Sequence, residues 1–230
     1  VAVQQVTRVA ICPSPPALLP GATGASTVVE IERLRECALQ VVRWLSELGE
    51  PVLVLASGTP RQVDEGTRLS ARAFGIGFES QLGARRDPAR AVTPAEPGLL
   101  VAAYLLDGHP ASARTLRDPD LATVQLPRHP ARALLVMGGG SARRREGAPG
   151  HVDDRAMPYD DQLVARIARP DLDALSTPDL ALADELLADL PAPLAVAARL
   201  LEGRTVRSRV DSYDAPYGVA DIVARWWTDD

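Results

Sequence analysis

The chain has 230 residues, of which 46% are hydrophobic and 24% charged, and carries a formal net charge of −5. That length and apolar content predict a single α/β domain over residues 1–230, and the acidic balance argues against binding nucleic acid or an anionic membrane. Lysine is absent and all 25 basic residues are arginine, which excludes both Schiff-base lysine chemistry and a P-loop lysine.

The first expected strand is Val6–Cys12, followed by a Pro/Gly loop from Pro13 to Gly24. Val28–Leu48 reads as an amphipathic helix with Ile31, Leu34, Ala38, Val41, Val42 and Leu45 on one face, ended by Gly49. Pro51–Ala56 is a continuous apolar run, as in a buried parallel strand, and Ser57-Gly58-Thr59-Pro60 turns the chain out of it. The Arg/Gly/Pro-rich stretch Arg61–Pro97 suggests only a short strand near Gly75–Glu79.

Leu99–Leu106 is expected to be helical. Strands are expected over Thr123–Leu126 and Ala133–Met137, flanking the loop Pro127–Pro130. Further helices are predicted over Tyr159–Ala168, Pro178–Leu190 (with Ser176 and Thr177 as cap candidates) and Pro193–Glu202. Val206–Val210 alternates like a strand, and Val219–Trp227 is read as a closing helix. Alternating strands and helices predict a mixed, mostly parallel sheet covered on both faces, a three-layer architecture.

Cys12 and Cys37 are the only cysteines, too few for a disulfide framework. No run of 18 apolar residues occurs, and Val1–Arg8 lacks a signal pattern, so a cytoplasmic location is the expectation.

Ligands of open α/β sheets bind beyond the carboxyl ends of the strands. Four loops are expected there: Cys12–Pro16, Ala56–Thr59, Gly138–Arg145 and Asp211–Gly218. Gly138, Gly139 and Gly140 allow close approach of the backbone to a ligand, and Ser141 adds a hydroxyl. Arg143 supplies a fork for a carboxylate or phosphate, so this loop is expected to cradle an anion. The alternative is a plain turn followed by a solvated basic run. Asp214 and Tyr217 flank a proline turn in which Asp214 either caps a helix or faces the pocket. The charge-dense stretch Ala148–Arg155 reads as a surface Arg–Asp network or a lid. His109, His129 and His151 have no metal-ligand spacing, and no Gly-x-Ser-x-Gly elbow exists.

The strings Val9–Pro16, Gly138–Arg144, Ala148–Ala156 and Asp214–Val219 resemble an uncharacterised actinobacterial group of the class III extradiol ring-cleavage dioxygenase superfamily. That superfamily includes the catalytic subunit that opens protocatechuate. The resemblance spans nearly the whole chain and implies a central mixed sheet with helices on both sides. It also implies non-haem Fe(II) held by two histidines and a carboxylate. At the implied ligand places this chain has Cys12-Pro13-Ser14 and Ser57-Gly58, and Ala142 follows Ser141 where the acid–base histidine is expected. An acidic residue of the group falls where this chain has Gly139.

The expectation is a metal-free descendant of that fold, without cofactor, binding a small anionic or phenolic molecule. Cys12, Ser14, Ser57, Gly138–Ser141, Arg143, Asp214 and Tyr217 are the expected ligand-binding set. Catalysis without a metal, a non-catalytic partner subunit and a homo-oligomer remain open alternatives.

Overall fold

In a computed structural model of the protein, the described residues are 6–24, 28–85, 87–120, 124, 126 and 131–229. Apart from Val124 and Leu126, the strand expected over Thr123–Leu126 and the loop carrying His129 lie outside them.

The apolar runs form the centre. β1 (Arg8–Cys12), β2 (Val52–Ser57) and β8 (Ala133–Met137) are parallel, with β8 between the other two. β7 (Ala111–Leu116) continues the parallel set beside β2, and the short β3 (Arg61–Val63) closes that edge in the antiparallel sense. On the other edge β10 (Asp221–Trp227) runs antiparallel to β1, and β9 (Arg207–Asp214) pairs antiparallel with β10. The seven-stranded order is β3-β7-β2-β8-β1-β10-β9. β4 (Arg68–Ser70), β5 (Glu79–Gln81) and β6 (Val92–Pro94) form a separate small sheet.

Alternation along each strand divides the apolar residues between two cores. Ala10, Cys12, Val54, Ala56, Leu135 and Met137 face α1 (Val29–Ser46) and α2 (Pro97–Leu106). Val9, Ile11, Leu53, Leu55, Leu134 and Val136 face the opposite core. That core also receives Leu163 and Ile167 of α3 (Ala156–Ala168) and Leu194 and Val196 of α6 (Pro191–Leu200). The short helices α4 (Leu172–Ser176) and α5 (Leu180–Glu185) lie between α3 and α6 in the chain. This is the expected α/β arrangement, a mixed sheet between helical layers. The stripe expected on α1 is its buried face, residue for residue. Each buried Leu, Ile or Val there contributes roughly 1.5–3 kcal/mol.

Several expectations are corrected. Val219–Trp227 is not a closing helix; Asp221–Trp227 is strand β10. Its β-branched and aromatic residues suit a pleat, and Trp226 and Trp227 point to opposite faces, so only Trp226 is fully buried. β7 is an addition to the expected strands, because Ala-Ser-Ala-Arg-Thr-Leu has little strand propensity; it forms because β2 and β3 pair with its two sides. The helix expected over Pro178–Leu190 stops at Glu185, and Leu187 adopts a φ of 58° that no α-helix accommodates. Asp179, rather than Ser176 or Thr177, caps α5 by accepting from the Leu182 N–H. Around Gly75–Glu79 the chain forms a 3-10 turn, Arg72–Phe74, and then β5.

Candidate functional site

The carboxyl ends of β1, β2 and β8 deliver Ser14, Ser57 and the Gly138–Ser141 loop to one place. Asp189, two residues before α6, joins them. Its Oδ2 accepts from the Ser14 hydroxyl at 3.0 Å, and its Oδ1 accepts from the Gly139 N–H at 2.5 Å. The Asp189 carbonyl accepts from the Ser57 hydroxyl at 2.6 Å. Although Asp189 as a residue is exposed, its carboxylate is crowded into these loops. Desolvation pushes its pKa up, against the lowering effect of the Gly139 and Ser14 hydrogen bonds.

The glycine loop is therefore not an open cradle. Gly138 N–H donates to the Cys12 carbonyl, Gly139 to Asp189, Gly140 to the Ala220 carbonyl and Ser141 to Asp160 Oδ1. All four N–H groups are used within the protein and all four residues are buried. This corrects the expectation that they hold an outside anion. The loop does bind anions, but they are the protein's own carboxylates. The glycines are required by packing: a Cβ on Gly138 would lie 2.6 Å from Leu190 Cα, and one on Gly140 would overlap an Asp160 carboxylate oxygen.

Arg143 also differs from expectation. It packs against Gly150, and its Nη1 donates a long 3.4 Å bond to the His151 carbonyl. Arg144 is the arginine turned toward β9. Its Nη1 donates to the Tyr213 hydroxyl at 2.9 Å, and its guanidinium lies 5.4 Å from the centre of that ring and 3.8 Å from Asp160. Tyr213 in turn donates to Asp161 at 2.7 Å. Burial and that hydrogen bond raise the Tyr213 pKa to about 12, so the phenol stays protonated. Arg144, Arg145, Met157, Tyr213 and Asp214 line a recess of about 290 Å3 at this edge.

Asp214 ends β9, where its side chain accepts from the Ala215 N–H instead of capping a helix. Opposite it on β10 is Asp221, only 4% exposed, with a buried Oδ1 that has no partner. Burial, and then the charges of Asp214 and Asp189, push the Asp221 carboxyl up to about 7.

The remaining expected residues do not gather here. Cys12 is fully buried in the core beneath α1 and α2, where desolvation pushes its thiol well above the usual range. Tyr217 is exposed in the hairpin turn. His109 bonds the Glu50 carbonyl at the opposite end of the strands, and His151 is exposed. Sequence reasoning missed Asp160, Asp189 and Asp221 as site residues, and considered Tyr213 only with Tyr217 beside the proline turn.

The Fe(II) centre implied by the resemblance does not fit these residues. His109 lies at the opposite end of the strands, and His151 makes no hydrogen bond to Ser14, Ser57 or Asp189 among the described residues. The Ser14 and Ser57 hydroxyls are committed to Asp189, and both carboxylate oxygens of Asp189 already accept hydrogen bonds. Among the described residues no three His, Cys, Asp or Glu side chains group as metal ligands. The chain matches no protein-family model and no curated protein.

Proposed function

We propose that this protein binds a small anionic or phenolic molecule on a scaffold of the class III extradiol dioxygenase kind and does not cleave aromatic rings. The supporting observation is the recess at the β9 end, where Arg144 bonds the Tyr213 hydroxyl and Arg145 forms part of the wall. Its volume of about 290 Å3 suits a single-ring ligand. Arg145 is exposed and has no ion pair among the described residues, so its fork is available to a carboxylate or phenolate.

Calorimetric titration with 4-hydroxybenzoate and protocatechuate tests the reading. Saturable binding is expected, with Arg145→Ala weakening it by on the order of 1.5–3 kcal/mol. Supplying Fe(II) should give no oxygen uptake. Steady ring-opening of protocatechuate, or no binding of either acid, would refute the proposal.

Asp221 favours a second reading, metal-independent acid–base chemistry, because a carboxyl titrating near neutrality can both accept and donate a proton. Under that reading, turnover shows an inflection near pH 7 that Asp221→Asn removes.

A further inference from the structure

The opposite end of the sheet carries a second feature, independent of the proposed ligand recess. There, at the amino ends of the parallel strands, Arg8, Arg132, Arg209 and Arg225 surround a cavity of about 370 Å3 walled by Trp44 and Trp227. The two indoles meet edge to face at 6.3 Å. Such a concentration of cations is unexpected in a chain of net charge −5.

The four arginines are not equally engaged. Arg225 makes a two-pronged contact to Asp211, which Arg209 shares at 3.0 Å. Both oxygens of Asp211 are thus engaged, and Arg225 also lies 5.4 Å from the centre of the Trp44 ring. Arg132 reaches Glu50 only at 3.6 Å, with both side chains more than two-fifths exposed, a weak pairing. Arg8 has no carboxylate partner among the described residues. One of its N–H groups caps α1 at the Trp44 carbonyl at 2.5 Å, and its guanidinium sits 4.9 Å from the centre of that ring. A guanidinium has five N–H donors, so most of those on Arg8 remain open.

Arg8 and Arg132 are neighbours at the entry to adjacent strands: the Arg8 N–H bonds the Arg132 carbonyl at 3.1 Å, and Arg8 pairs with Ala133 in the ladder. Two arginines that line one cavity from neighbouring strands, each with open donors, suit an anion with more than two acceptor oxygens. A carboxylate satisfies one fork, whereas a phosphate has three terminal oxygens and about two negative charges near neutral pH. The indole walls suit an apolar, planar body attached to it.

We infer that this cavity is a binding site for a small aromatic phosphate monoester, its phosphate held between Arg8 and Arg132 and its ring against the Trp44–Trp227 wall. The chain has three tryptophans, and the third, Trp226, is buried with its indole N–H bonded to the Ile167 carbonyl. Intrinsic fluorescence therefore reports on the cavity through Trp44 and Trp227.

The test is a fluorescence titration with phenyl phosphate, repeated with benzoate, inorganic phosphate and phenol. The expected result is saturable binding of phenyl phosphate, at least about tenfold tighter than any of the other three. Arg132→Gln should weaken it by about tenfold or more. If that variant loses its circular dichroism signal, Arg132→Lys, which keeps the charge and loses the fork, should weaken binding in the same direction. Absence of saturation below about 10 mM, equal affinity for benzoate, or full affinity in the folded Arg132 variant each overturns the inference.

Discussion

Asp160 accepts two hydrogen bonds from Ser141, from the backbone N–H at 2.7 Å and from the hydroxyl at 2.6 Å. Neither residue is exposed, and Arg144 stands 3.8 Å from the same carboxylate. The pair ties α3 to the loop that leaves β8. It gives the Ser141 N–H and hydroxyl a buried acceptor that no other group at the turn supplies.

Asp160→Ala is therefore expected to destabilise the protein by about 3–5 kcal/mol, because it strands a buried N–H, a hydroxyl and a half-buried guanidinium. Ser141→Ala removes only one donor and should cost about 1–2 kcal/mol. Urea unfolding midpoints, compared at constant slope, check both values.

The glycines of the same loop should differ in tolerance. At Gly138 an added Cβ meets the backbone of Leu190 at 2.6 and 2.7 Å, and backbone cannot swing aside. Gly138→Ala should cost about 3 kcal/mol or more. At Gly139 the nearest atom is the Ala220 carbonyl oxygen at 3.2 Å, so Gly139→Ala should cost only about 1 kcal/mol. Equal losses in thermal denaturation would contradict this ordering.

Asp221 gives the protein a pH dependence of definite sign. Its carboxyl is raised to about 7 in the folded state from an ordinary value near 3.8. The folded state therefore holds the proton more tightly than the unfolded state between those values. Stability from this group is fully present below about pH 4 and is lost as pH rises toward 7. Asp221→Asn should flatten that slope and stabilise the protein above pH 7. The gain is at most about 4 kcal/mol, the free-energy equivalent of raising a carboxyl from its ordinary range to neutrality. Unfolding free energies measured from pH 5 to 8 provide the check.

The two thiols should react in order. Cys12 is completely buried and its pKa is driven up chiefly by desolvation; Cys37 is only partly covered, with a smaller rise of the same cause. A disulfide reagent at neutral pH should modify Cys37 slowly and leave Cys12 untouched until denaturant is added. Rapid modification of both thiols in the native protein would contradict the packing beneath α1.

The elements that could be read from the sequence are those whose burial pattern is local. Val52–Ala56 and Ala133–Met137 are apolar throughout, and α1 repeats its buried positions at helical spacing, so each announces its structure without reference to the rest of the chain. The missing lysines, and the lack of histidine at the implied iron ligands, are equally plain. The tertiary structure alone decided the rest. β7 is a strand because its neighbours pair with it, and Asp221–Trp227 extends because β1 and β9 offer it two ladders. Likewise Asp189 meets Ser14 across 175 positions of chain, and Gly139 across 50. No spacing rule encodes such partners, so a loop rich in glycine N–H groups looks open until the fold brings the protein's own carbonyls and carboxylates to fill it.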